Sequence, residues 1–148
     1  RAELYVALAA GAKGVAWFAL DDNGYDRSIT FLRYADGRAQ EPQWSTICQL
    51  ADEFNAMASY LVGADDRVQV SVVRPANGVY ALCFTREAVP RHLLLVVNAL
   101  ASEQSIRLTW PLAGEHIGLF DSPDLRFLED GHLEGRLAGY QRGAYVFE

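Results

Sequence analysis

Hydrophobic positions change their spacing twice along this chain, and each change marks a different kind of element. Residues 1–10 are rich in Ala, with Leu4 and Leu8 one turn apart beside Tyr5, and predict a helix. Gly11 is placed to end it in the left-handed conformation. Residues 13–20 follow, with Val15, Trp17, Phe18 and Leu20 in a short, almost wholly apolar run. That pattern suits a strand buried on both faces, the kind found in parallel sheets. Residues 21–41 read as a long polar loop, with residues 29–34 apolar enough to pack down within it.

A second helix opens at Pro42, where its missing N–H costs nothing. Trp44, Ile47, Cys48, Ala51, Phe54, Ala58 and Leu61 recur at three- and four-residue steps and predict its apolar face. Asp52, Glu53 and Asn55 fall on the other side, and Gly63 closes the helix.

Beyond residue 63 the period drops to two. Residues 67–73 alternate as a strand, residues 75–78 carry an Asn-Gly turn, and residues 79–86 make its hairpin partner. Further strands are expected at 92–98 and 104–110, with shorter ones at 117–120, 125–128, 131–137 and 142–147. Short strands with turn signals every eight to twelve residues suggest an antiparallel sandwich. The switch in period places a boundary near residues 63–66.

Composition narrows the function classes. The 148 residues carry a formal net charge of -6, with Lys13 the only lysine, which argues against a nucleic-acid surface. No apolar run approaches the roughly 20 residues of a membrane-spanning helix. The chain opens on Arg1, inside the first helical pattern, and reads as a cut end. Cys48 and Cys83 both sit in apolar patterns and are expected as buried, reduced thiols, which leaves the compartment open.

Residues 5–20, Tyr-Val-Ala-Leu-Ala-Ala-Gly-Ala-Lys-Gly-Val-Ala-Trp-Phe-Ala-Leu, resemble the last turn of the barrel in (β/α)8 glycoside hydrolases of the beta-galactosidase-like kind. In that family a helix with such a turn leads into the eighth strand. A helix like residues 47–61 then closes the barrel, and an antiparallel β domain often follows. The resemblance covers about residues 4–100. It implies an α+β fragment: the terminal helix-strand-helix of a (β/α)8 barrel over residues 1–63, then an antiparallel β-sandwich accessory domain over 64–148. It also implies that this chain is the C-terminal part of a glycoside hydrolase, completing the substrate cleft and bracing the barrel. The paired carboxylates that glycosidic cleavage needs would lie before Arg1, so no residue here is assigned a catalytic role. The implied partners are carbohydrate and either a missing N-terminal barrel segment or a second copy of the chain. The alternative is a non-catalytic carbohydrate-binding or protein-interaction module.

Candidate substrate contacts cluster after the apolar run. Trp17 offers an indole face to the apolar side of a sugar ring. Asp21 and Asp22 could accept hydrogen bonds from sugar hydroxyls, and Tyr25 could line the same cleft. Asp21, Asn23 and Tyr25 only partly imitate a calcium loop, because Gly24 is misplaced and the closing Glu is missing. His92, His116 and His132 lack the short spacings of a zinc site. No metal and no cofactor are expected. Trp110 and Trp44 read as core anchors.

Overall fold

A computed structural model describes residues 2–12, 41–62, 66–75, 77–88, 90–110 and 115–147. Two compact units are distinguished, one of residues 1–14 with 58–148 and one of residues 15–57. In the first, helix α1 (Ala2–Ala9) ends where Gly11 takes a φ of 101°, as the sequence predicts. Helix α2 (Glu41–Leu61) runs from the second unit into the first.

Among the described residues nine strands follow: β1 (Asp66–Gln69), β2 (Val72–Arg74), β3 (Val79–Thr85), β4 (His92–Asn98), β5 (Gln104–Thr109), β6 (His116–Leu119), β7 (Leu125–Phe127), β8 (His132–Leu137) and β9 (Arg142–Phe147). They form a five-stranded sheet in the order β1-β3-β4-β9-β6 and a four-stranded sheet in the order β2-β5-β8-β7. Every pairing among them is antiparallel.

The two inner faces share one core. Ala81, Cys83, Leu94, Val96, Tyr145 and Phe147 from the larger sheet meet Ile106, Leu108, Leu125, Leu133 and Leu137 from the smaller. Trp110 is buried as expected, its ring 4.5 Å from that of Phe147. At one end the His116 ring lies between Phe127, Tyr145 and Phe147. One polar residue also joins the sheets. Asn98, fully buried on β4, donates to the Ala138 and Leu137 carbonyls at the end of β8, at 2.9 and 3.3 Å. It also donates to the Ser102 carbonyl and accepts from the Leu100 N–H. Both ends of its side-chain amide are thus occupied inside the protein.

The centre of the larger sheet, along β3 and β4, is buried on its outer face too. Leu93, Leu95 and Val97 on β4, and Leu82 and Phe84 on β3, point away from the shared core yet are inaccessible to solvent. Helix α1 lies against these two strands. Its Tyr5 and Leu8 are wholly buried, and the Arg142 guanidinium stands 5.6 Å from the Tyr5 ring centre. Each such side chain taken from water contributes about 1.5–3 kcal/mol.

The expected fold class is corrected here. The described residues are mostly β, and no helix-strand-helix barrel unit is evident among them. The helix read as the approach to a barrel strand instead covers an antiparallel sheet. The physical reason is that a continuous apolar run reports burial on both faces, not strand direction. β4 shows the same run as residues 13–20 and is antiparallel on both sides. Residues 13–20 themselves lie outside the described residues.

Two local readings also change. Residues 67–73 alternate like one strand but are two. The Val70 N–H still bonds to the Ala81 carbonyl of β3, while the Ser71 carbonyl already accepts from Thr109 at the end of β5. The chain therefore passes from one sheet to the other at the Val70–Ser71 bond, and only β1 keeps the expected pairing with β3. In α2 the buried positions are Leu50, Glu53, Met57, Tyr60 and Leu61, while Cys48 and Ala51 are exposed. The buried stripe is rotated by more than a quarter turn from the expected one, shares only Leu61 with it and takes in Glu53. The Trp44 side chain lies outside the described residues. Among the described residues, no helix is long and apolar enough to cross a membrane.

Candidate functional site

The sequence-predicted contacts Trp17, Asp21, Asp22 and Tyr25 all lie outside the described residues. Among the described residues, chemistry concentrates on the outer face of the four-stranded sheet. Alternation explains why. Ile106, Leu108, Leu133 and Leu137 turn inward, so Ser105, Arg107, Thr109, His132, Glu134 and Arg136 turn outward. Register then brings four charged residues into one row across four strands. Arg74 stands opposite Arg107, Arg107 opposite Glu134, and Glu134 opposite Arg126.

The row is unevenly compensated. Arg107, the least exposed of its arginines, forks between Asp130 and Glu134, with the Glu134 oxygen at 3.2 Å. Arg126 reaches the other Glu134 oxygen at 3.4 Å but is 76% exposed. Arg136 is equally exposed and only 3.7 Å from Glu103, a surface pair worth little. Arg74 is exposed and makes no ion pair among the described residues. It nevertheless faces Arg107 across the ladder, a like-charge pairing that sheets disfavour. His132 Nδ1 lies 2.8 Å from Asp130. That hydrogen bond, helped by Arg107, holds the Asp130 carboxyl below its ordinary value.

Beside the row lies a depression of about 630 Å³. Four guanidiniums line it, from Arg74, Arg107, Arg126 and Arg136, against two carboxylates, Asp124 and Glu134. Ser105 adds a hydroxyl. The lining is therefore net cationic on a chain whose net charge is -6. It can grip an oxyanion through guanidinium forks and can also accept from hydroxyl groups.

A second depression, of about 500 Å³, includes Ser71, Asn77 and Tyr80 in its wall. Tyr80 and Tyr140 are the exposed tyrosines among the described residues. Among those residues, no group of three or more His, Cys, Asp and Glu side chains is placed to hold a metal ion.

The sequence reading missed this face. The alternation around Arg107 and Glu134 signals that both point to solvent. Nothing in the spacing shows that they pair with each other, or that Arg74 and Arg126 complete the row. Comparison with family models, with curated proteins and with solved structures finds no match.

Proposed function

We propose that the two-sheet body is a non-catalytic accessory domain of a glycoside hydrolase, bracing the part of the enzyme that carries the catalytic carboxylates. The observation that carries the bracing role is the outer face of the larger sheet. An antiparallel sheet with one face in water alternates apolar and polar residues, but β4 is buried at every position from Leu93 to Asn98. Helix α1 supplies the cover. The last turn of α2 is fastened to the same sheet, because Tyr60 donates to the Pro90 carbonyl in the β3–β4 loop at 2.8 Å. A β domain held this firmly by preceding helices suits a brace better than a free-swinging module. The carbohydrate assignment draws its support from the resemblance of residues 5–20 to the glycoside hydrolases.

Two measurements test this reading. The 148-residue chain is expected to show no turnover of aryl glycosides, and robust turnover would overturn the non-catalytic role. In the longer enzyme that the reading requires, Tyr5→Ala is expected to lower the temperature at which hydrolysis is lost while leaving KM unchanged. An enzyme indifferent to that substitution would have no need of the brace.

A further inference from the structure

We propose that the outer face of the four-stranded sheet binds an acidic saccharide, a sugar chain bearing carboxylate or sulfate groups, in the depression between Arg74, Arg107, Arg126 and Arg136. This rests on the carbohydrate assignment above and adds the chemical class of the ligand.

Arg74 and Arg107 face each other in register, and Arg107 is drawn toward Glu134 and Asp130 on the far side. Arg74 is left without a counter-charge among the described residues. An oxyanion seated beside it would relieve the like-charge pairing. Arg126 and Arg136, both 76% exposed, can swing toward a ligand because their own ion pairs are long and solvent-facing. Arg107 stays clamped and gives the site a fixed edge.

The carboxylates of the lining select among anions. The Asp124 carboxylate can accept from sugar hydroxyls but repels the bare oxygens of a polyphosphate, while the Ser105 hydroxyl can donate or accept. A uronate or sulfated sugar presents both oxyanions and hydroxyls, and so satisfies both halves of the lining.

The test is calorimetric titration of the whole chain with oligogalacturonate, with a sulfated oligosaccharide of similar length, and with a neutral galactan oligomer. Binding is expected for one or both charged sugars and not for the neutral one, and is expected to weaken with added salt. The preferred charged sugar identifies the oxyanion. The double variant Arg74→Gln/Arg136→Gln, exposed at both positions, is expected to weaken binding about tenfold. Arg91→Gln, at an exposed site beside the other sheet, is expected to leave it unchanged. Equal binding of charged and neutral sugars, no binding of either, or binding unaffected by the double variant would each overturn the site. Those outcomes leave the bracing role standing, because it is read from stability and turnover.

Discussion

The Arg86 guanidinium lies 3.9 Å from the centre of the Tyr60 ring, and both side chains donate to the same carbonyl, that of Pro90. Arg86 also donates to the Ser59 hydroxyl. One arginine thereby clips the last turn of α2 to the β3–β4 loop. Arg86→Ala is expected to cost about 1–2 kcal/mol of stability, and Tyr60→Phe about 1 kcal/mol. A double-mutant cycle of Arg86→Ala with Tyr60→Leu, which removes the ring itself, read by urea unfolding, is expected to show coupling of about 0.5–1 kcal/mol. Additive effects would mean that the stack carries no energy of its own.

Asn98 serves the two sheets at once. Asn98→Ala would leave the Leu100 N–H without its partner inside the protein and take from the Ala138 carbonyl one of its two donors, the Gln141 N–H remaining. A loss of about 2–4 kcal/mol is expected, larger than for an ordinary polar-to-Ala change at the surface. Asn98→Asp keeps the acceptor but places a carboxylate against three carbonyl oxygens, and is expected to be at least as damaging. Chemical denaturation of both variants checks this.

Strand spacing was disclosed by the sequence, whereas the contacts between elements were not. The strand positions were legible because Ile106, Leu108, Leu133 and Leu137 alternate with polar neighbours. The helical character of α1 was legible from Leu4 and Leu8, but its resting place on β3 and β4 was not. Apolar spacing shows that a surface is covered, without naming the cover. Residues 67–73 keep an unbroken period of two through the bond where the chain changes sheets, so the crossing left no trace in the pattern. The charged row was hidden for a related reason. Arg74, Arg107, Glu134 and Arg126 are distant in sequence, and only hydrogen-bonded register aligns them.

His92 gives the stability a pH dependence. Its partial burial, with Arg91 nearby, pushes its pKa below the ordinary value, and its Nδ1 lies 3.1 Å from the Thr85 hydroxyl. The folded state therefore prefers the neutral ring, and the unfolded state binds the extra proton. This contribution is fully present above the unfolded pKa of about 6.5 and is lost as pH falls through the interval below it. Urea midpoints are expected to drop between pH 7.5 and pH 5, with a shallower drop in His92→Gln. Equal slopes would assign the effect to other groups.

The two free cysteines are expected to part company in reactivity. Cys48 is exposed, whereas Cys83 is buried and its burial pushes the thiol up to about 11. At pH 8 that leaves about one thiolate in a thousand at Cys83. Ellman's reagent should modify one thiol promptly in the native chain, and the second only at the rate of unfolding. Prompt loss of both would place Cys83 within reach of solvent.

The passage of residues 66–74 from one sheet to the other ties the fate of the two layers together. Tension entering at the start of β1 is shared by β3 and β5, since consecutive residues are laced to each. Neither layer can peel away and leave its companion intact. Melting should accordingly proceed as a single cooperative event in this body, which makes it a stiff strut.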